Sequence, residues 1–184
     1  MKYYNKYKTV LVLLSTYNGE KYLLEQLESL IKQQGVNLFI LVRDDGSSDS
    51  TLKILNEYSS DYPNITILSE DNIGCALSFN RLMSYADTVM AKFDYYAFCD
   101  QDDVWDEDKL SRAVFNLEKY KEKSLRLYTS AYRVVDENLN FQYNQNFSYR
   151  HSLGEALMMI NTMGCTQVFS KELLEQAIKI SNIE

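Results

Sequence analysis

The strongest constraint on the fold is a repeated alternation of apolar runs and amphipathic segments in the first part of the chain. Four runs rich in β-branched, aliphatic or aromatic residues predict buried strands at Thr9–Leu14, Phe39–Val42, Ile65–Leu68 and Tyr95–Cys99. Apolar residues at three- and four-residue steps predict intervening helices from Glu20 to Gly35, from a cap at Ser50 or Thr51 to Tyr58, and from Ala76 to Ala86. This alternation predicts an α/β fold with a mostly parallel central sheet and helices on both faces.

The rest of the chain is less regular but continues the same pattern. Apolar spacing predicts a helix at Lys109–Tyr120, strands at Leu125–Tyr132 and Gln167–Phe169, and a last helix at Lys171–Ile180. The stretch Asp136–Ser152 is rich in Asn, Gln and Tyr, which predicts a long surface loop or an irregular lobe. Because the 184 residues contain no repeat and no linker, we expect a single domain over residues 1–184.

Charge and hydropathy exclude two classes of partner or location. The chain has 19 Lys and Arg against 26 Asp and Glu, a net charge of -7, which argues against binding of nucleic acid. Its apolar runs are far shorter than the roughly 20 residues of a membrane span. These features predict a cytoplasmic protein.

The cysteines and the single histidine exclude familiar zinc and histidine-based sites. Cys75, Cys99 and Cys165 form no Cys-x-x-Cys pair, which fits a reducing compartment, and we expect all three to be small buried hydrophobes. A histidine-based metal site or catalytic triad would depend on His151 alone.

Three polar segments directly follow predicted strands, namely Ser15–Glu20, Asp44–Asp49 and Asp100–Asp103. In parallel sheets, ligands bind in the loops at the carboxyl ends of the strands. These three loops are therefore the candidate functional site.

The segment Asp100–Asp103 contains three carboxylates that repel one another unless a cation or raised pKa values relieve the repulsion. Oxygen ligands without His or Cys suit Mg²⁺ or Mn²⁺, and Mg²⁺ commonly bridges carboxylates and substrate phosphates. The alternative is a solvated acidic turn that continues to Asp108 and caps the helix from Lys109.

The segment Asp44–Asp49 can accept hydrogen bonds from a base or a ribose, or it can form an Asx turn that caps the next helix. Neither a phosphate-binding P-loop sequence nor a Gly-x-Gly-x-x-Gly dinucleotide fingerprint occurs in the chain. Phosphate is therefore expected to be bound through a metal ion.

Four motifs occur in order along the chain: Ser15-Thr-Tyr-Asn-Gly-Glu20, Arg43-Asp-Asp-Gly-Ser-Ser-Asp49, Asp71-Asn-Ile-Gly74 and Asp100-Gln-Asp-Asp-Val-Trp105, the last followed by Lys109-Leu110. Together they resemble family 2 glycosyltransferases of the GT-A fold. The first and last motifs are most similar to those of rhamnosyltransferase-like members that build bacterial surface polysaccharides. The resemblance covers about residues 8–170 and implies a Rossmann-like three-layer α/β/α fold.

The resemblance implies a role for individual residues. Ser15, Thr16 and Tyr17 match the loop that lines the pocket for the base, and Asp45 matches the residue that hydrogen-bonds the base. Asp102 matches the ligand of Mn²⁺ or Mg²⁺ at the diphosphate. Asp100 matches an acid near the ribose and donor sugar and is the second candidate metal ligand, while Glu20 and Gly74 complete the predicted donor site.

The implied activity is inverting, metal-dependent transfer of a sugar, with rhamnose as the candidate, from a nucleoside-diphosphate sugar to a polysaccharide or lipid-linked acceptor. Such transfer needs a general base, which the family places on a segment expected beyond Glu184, so we expect a truncated chain without its acceptor part. The alternatives are a catalytically inactive nucleotide-sugar-binding module and a nucleotidyltransferase. Membrane association and oligomeric state stay open.

Several aromatic residues allow two interpretations. Trp105 follows the acidic segment and could stack on a sugar or anchor the next helix in the core. Tyr143, Phe147 and Tyr149 could form a wall of the acceptor site or an interface.

Overall fold

A six-stranded sheet forms the body of the protein in a computed structural model that describes residues 7–88, 93–145 and 163–181. Its strands are β1 (Thr9–Thr16), β2 (Asn37–Asp45), β3 (Ile65–Glu70), β4 (Tyr95–Cys99), β5 (Leu127–Thr129) and β8 (Gln167–Ser170). They lie in the order β3-β2-β1-β4-β8-β5. The pairs among the first four strands are parallel, whereas β8 runs antiparallel to β4 and to β5.

Helices cover both faces of this sheet. They are α1 (Leu23–Ile31), α2 (Thr51–Asp61), α3 (Cys75–Thr88), α4 (Lys109–Glu118) and α5 (Lys171–Ser181). Apolar residues of α1, α2 and α4 join one core cluster, and those of α3 and α5 join the other. Strand β1 contributes to both, because alternate side chains point to opposite faces: Val12 lies in the first cluster and Leu13 in the second. The predicted α/β class with a mostly parallel sheet is confirmed.

Two predicted boundaries are wrong for local reasons. Helix α1 begins at Leu23 rather than at Glu20, because the backbone turns at Gly19, whose carbonyl accepts from the N–H groups of Tyr22 and Leu23. The single strand predicted at Leu125–Tyr132 is two strands, since β5 ends at Thr129 and the next strand begins at Tyr132.

The stretch predicted as an irregular lobe contains regular structure. Strands β6 (Tyr132–Val135) and β7 (Phe141–Gln145) pair antiparallel as a separate hairpin, so the prediction is wrong for residues 141–145. Residues 146–152 of that stretch, which include Phe147, Tyr149 and His151, lie outside the described residues.

The cysteine prediction holds at two of three positions. Cys99 and Cys165 are buried, but Cys75 is exposed at the start of α3, and all three thiols are free. Among the helices of the described ranges, none combines the length and apolar character needed to cross a bilayer.

Candidate functional site

Three loops meet at one edge of the sheet because β2, β1 and β4 are neighbouring parallel strands. We call them the first loop (residues 15–22), the second loop (residues 44–50) and the acidic loop (residues 100–103). The location predicted for the candidate site follows from this strand order.

The first and second loops are joined by reciprocal hydrogen bonds. Asn18 N–H donates to Ser47 Oγ at 2.9 Å, and Ser48 N–H donates to Asn18 Oδ1 at 2.8 Å. Gly19 N–H donates to Thr51 Oγ1 at 2.8 Å, and Ser50 N–H donates to Glu20 Oε2 at 2.8 Å. These bonds hold the two loops in one shape before any ligand arrives.

The predicted base-pocket residues differ in how far they face solvent. Tyr17 is 50% exposed, whereas Thr16 is 1% exposed and its hydroxyl donates to Asp44 Oδ1 at 3.1 Å. Ser15 Oγ and Ser78 Oγ lie 2.6 Å apart, partly buried. Tyr17 is therefore the accessible residue of the three.

Asp45 lies at the centre of a buried ionic network. It is 2% exposed, and its Oδ1 accepts from Arg43 Nη1 and from Ile73 N–H at 2.8 Å, while Oδ2 accepts from Gly74 N–H at 2.9 Å. Burial raises the pKa of the Asp45 carboxyl, but the Arg43 guanidinium and the two N–H groups together hold that pKa below its usual range. The carboxylate is therefore charged and fixes the 71–74 turn, and Oδ2 keeps one acceptor site for a ligand.

Arg43 is a buried residue of the site that sequence reasoning quoted but gave no role. It is 1% exposed, and besides Asp45 it donates from Nε to Glu70 at 3.0 Å and from Nη2 to the carbonyl of Asp71 at 2.8 Å. Gly74, which ends the turn, has φ +85°, and a Cβ built on it would meet open space. The available signal was an arginine that directly follows the apolar run Phe39–Val42 and precedes two aspartates.

The acidic loop brings together a different group of residues from the predicted metal pair. Asp100, Asp103 and Cys165 have ligand atoms within 4.8 Å of one another, while Asp102 is exposed to solvent. Burial raises the pKa values of the Asp100 and Asp103 carboxyls, and the neighbouring aspartates add to the effect. Oδ2 of Asp103 is buried and has no hydrogen-bond partner among the described residues.

These residues fit a hard divalent cation. The acidic loop has three carboxylates within four residues, and carboxylate oxygens are ligands that Mg²⁺ or Mn²⁺ prefers. One of them, Asp102, is exposed, and Asp103 has the buried oxygen without a partner among the described residues. Burial and the nearby Asp103 raise the pKa of the Cys165 thiol, so this thiol is protonated and acts as a donor to the carboxylates.

Helix capping does not explain the acidic residues that follow. Asp108 makes no side-chain capping bond to α4. Gln33, two residues after the end of α1, takes that place, because its Oε1 accepts from Leu110 N–H at 3.1 Å while its Nε2 donates to the carbonyl of Asp106 at 2.7 Å. The residues that follow α1 thus hold the segment that leaves the acidic loop.

Replacing Gln33 by alanine is expected to lower the free energy of unfolding by about 1–2 kcal/mol, because the N–H of Leu110 and the carbonyl of Asp106 both lose a partner. Urea unfolding of Gln33→Ala measures this loss. Lys32→Ala at the neighbouring position removes an exposed pair with Glu28 and is expected to change stability by less than about 0.5 kcal/mol. Equal losses in both variants would contradict the capping role.

The β6–β7 hairpin is attached to this edge by two ion pairs. Arg133 pairs with Asp106 at 2.5 Å, and Glu137 pairs with Lys21 at 2.9 Å. Tyr143 is 55% exposed on this hairpin. Trp105 is 6% exposed in the core, with Lys109 Nζ 4.6 Å from the centre of its ring, so it anchors α4 rather than offering a face for a sugar.

Comparison with known proteins connects these loops to one family. The family model described as Glycosyl transferase family 2 matches residues 11–176. The dTDP-rhamnosyl transferase RfbG of Shigella flexneri is 32% identical over 169 residues, which are 88% of this chain and 55% of that protein.

Two solved structures share the fold. S. aureus TarS 1–349 in complex with UDP superposes with a TM-score of 0.63 at 22% identity, over 92% of this chain and 48% of that one. The mannosyltransferase PcManGT from Pyrobaculum calidifontis, in complex with GDP-Man and Mn²⁺, superposes with a TM-score of 0.64 at 19% identity, over 94% and 47%.

The chain spans about half the length of these relatives. The structural likeness confirms the three-layer α/β/α architecture of the GT-A glycosyltransferases, and the family model covers nearly the whole chain. The predicted resemblance is therefore correct, and the chain belongs to glycosyl transferase family 2.

Proposed function

We propose that this chain binds the donor of a metal-dependent, inverting glycosyl transfer in which a sugar moves from a nucleoside diphosphate to a saccharide or lipid-linked acceptor. Family membership supports the transferase class, and similarity to a dTDP-rhamnosyl transferase supports rhamnose as the sugar and dTDP as the nucleotide. Bacterial surface polysaccharide synthesis at the cytoplasmic face of the membrane is the corresponding role.

One observation carries the proposal. The exposed Tyr17 of the first loop lies next to the acidic loop, since its N–H donates to Gln101 Oε1 at 2.8 Å. A base stacked at the first loop would therefore have its diphosphate close to the carboxylates. This is the arrangement that a nucleoside diphosphate with a divalent cation requires.

The predicted donor residues divide into two kinds of contribution. Tyr17 and the backbone of residues 15–17 contact the base, and Asp45 offers it the remaining acceptor site on Oδ2. Thr16 and Glu20 act through the shape of the loops, because their side chains bond to Asp44 and to Ser50 N–H. Gly74 leaves open space beside Asp45 into which the base can extend.

Asp102 and Asp100 hold Mn²⁺ or Mg²⁺ in this proposal, with Asp102 as the solvent-facing ligand. The bound cation supplies charge stabilisation for the departing nucleoside diphosphate. Asp103 is not a metal ligand in this proposal, and its carboxylate accepts a hydrogen bond from the Cys165 thiol.

The test is calorimetric titration of the protein with dTDP and with UDP, each with and without Mn²⁺. We expect binding of dTDP that depends on Mn²⁺ and is tighter than that of UDP by at most about 100-fold, since UDP lacks the 5-methyl group of the base and carries an added 2′-hydroxyl. Tighter binding of UDP would contradict the assignment of dTDP. If the folded protein binds neither nucleotide, the donor site itself is contradicted.

A further inference from the structure

The side chain of Gln101 joins two loops of the candidate site. Its Oε1 accepts from Tyr17 N–H at 2.8 Å, and its Nε2 donates to the carbonyl of Tyr17 at 3.1 Å. One amide thus satisfies both backbone polar groups of a single residue, as a neighbouring strand would do. The contact fixes the first loop against the acidic loop at a point between Asp100 and Asp102.

The same amide packs directly against Gly19. A Cβ built on Gly19 would lie 2.7 Å from Cδ of Gln101 and closer still to its Oε1, so no larger residue fits while the amide is in place. The backbone of Gly19 does not require glycine, because the glycines with positive φ in the described residues are Gly35, Gly46 and Gly74. Space for the Gln101 side chain therefore requires glycine at position 19.

We propose that Gln101 is a positioning residue that sets the distance between the loop that contacts the base and the loop that holds the metal and the diphosphate. The inference rests on the proposed donor site. A neutral amide suits this position because a carboxylate there would add a fourth negative charge to the acidic loop and would face the carbonyl of Tyr17. An aliphatic side chain would leave both polar groups of Tyr17 without this partner.

Without Gln101, we expect the first loop and the acidic loop to hold the base and the diphosphate less well at the same time. In Gln101→Ala the residues that contact the base and those that hold the metal are unchanged. Binding of the base at the first loop, however, no longer favours binding of the metal and the diphosphate at the acidic loop. We expect the affinity for dTDP in Mn²⁺ to fall about tenfold, which corresponds to the loss of two ordinary hydrogen bonds. The factor by which Mn²⁺ strengthens dTDP binding should shrink, whereas a residue with a merely structural role would leave that factor unchanged.

A double-mutant cycle on Gln101 and Gly19 gives the sharpest test. Gly19→Ala alone displaces the amide and should weaken dTDP binding about as much as Gln101→Ala does. In the Gln101→Ala background the added methyl group finds free space, so the double variant should bind no worse than Gln101→Ala. The inference would be overturned if the loss of dTDP binding free energy in the double variant equalled the sum of the losses in the two single variants. The control Gln176→Ala, on the exposed side of α5, should bind like the wild type.

A further variant separates hydrogen bonding from space filling. Gln101→Met keeps most of the side-chain volume but makes no bond to Tyr17, so we expect the same tenfold loss as with alanine. Wild-type affinity in Gln101→Met would overturn the inference, even where Gly19→Ala fails to fold.

A readout without ligand distinguishes this inference from the proposed function. The amide hydrogen of Tyr17 bonds to Gln101 Oε1, so its exchange with solvent should accelerate in Gln101→Ala and stay unchanged in Gln176→Ala. Unchanged exchange at Tyr17 would overturn the positioning role alone. Failure of the wild-type protein to bind dTDP or UDP would overturn the proposed function, and the role of Gln101 in it, whatever the exchange of Tyr17.

Discussion

Replacing Asp102 by alanine is expected to weaken dTDP binding in the presence of Mn²⁺ by at least about 100-fold. Loss of groups that merely orient a metal ligand commonly costs 10- to 100-fold, so loss of a ligand should cost at least the upper value. Asp102 is the exposed carboxylate of the acidic loop, whereas Asp100 and Asp103 are clustered with Cys165. Calorimetric titration with and without Mn²⁺ measures the effect.

Titration without Mn²⁺ tests whether Asp102→Ala weakens dTDP binding only when the metal is present. Without Mn²⁺, Asp102→Ala removes a negative charge beside the expected diphosphate, so it should leave dTDP binding unchanged or strengthen it slightly. The matched control is Asp108→Ala, which removes the same charge six residues further along, where the carboxylate pairs with Arg112 at 2.9 Å in solvent. Asp108→Ala should retain Mn²⁺-dependent binding within about twofold.

Two outcomes would contradict the assignment of Asp102. An equal loss in Asp108→Ala would mean that the total charge of the segment matters rather than a ligand. A loss confined to Asp103→Ala would transfer the role of Asp102 to the carboxylate that the structure places beside Asp100.

The core of the fold was predictable because its strands are buried on both faces. Tyr95–Cys99 was predicted with the observed bounds, since a short apolar run flanked by polar residues has few other interpretations. The β6–β7 hairpin was missed because its exposed strands bury little apolar surface, and Asn and Gln dominated its composition. The alternation of Phe141 and Tyr143 with polar residues was the signal available.

The place of the candidate site was predictable, but the contacts within it were not. Parallel strand order brings the three loops to one edge, whatever their conformation. Which carboxylates meet depends on how the chain turns after Cys99, and that turn places Asp103 beside Asp100 and turns Asp102 outward. The bonds of Gln101 to Tyr17 join residues 84 positions apart, and no local pattern encodes them.

Replacing Asp45 by alanine is expected to lower the free energy of unfolding by about 3–5 kcal/mol, because it leaves the buried Arg43 guanidinium without its closest counter-charge. The N–H groups of Ile73 and Gly74 lose their acceptor in the same step. In a domain of this size the loss corresponds to a melting temperature lower by about 6–20 °C. Urea unfolding and calorimetry without ligand measure both quantities.

A double-mutant cycle separates the ion pair from the rest of the network. Arg43→Met alone leaves the Asp45 carboxylate buried without its counter-charge. It is expected to lower the free energy of unfolding by a similar amount, about 3–5 kcal/mol. The double variant should lose about 1–3 kcal/mol less than the sum of the single losses, since neither charge then lies unpaired. Glu57→Ala, which removes an exposed pair with Lys53, should change stability by less than about 0.5 kcal/mol.

The pH dependence of stability gives an independent check on the same network. Arg81 and Arg43 lower the pKa of Glu70, and Arg43 with two N–H groups lowers that of Asp45 against the effect of burial, from ordinary values of 4.5 and 3.8. The folded protein therefore binds fewer protons than the unfolded chain as the pH falls below those values, and the stability present at neutral pH is lost in acid. Asp45→Ala should show a smaller acid-induced loss than the wild type; an identical pH profile would mean that the buried pair contributes no stability.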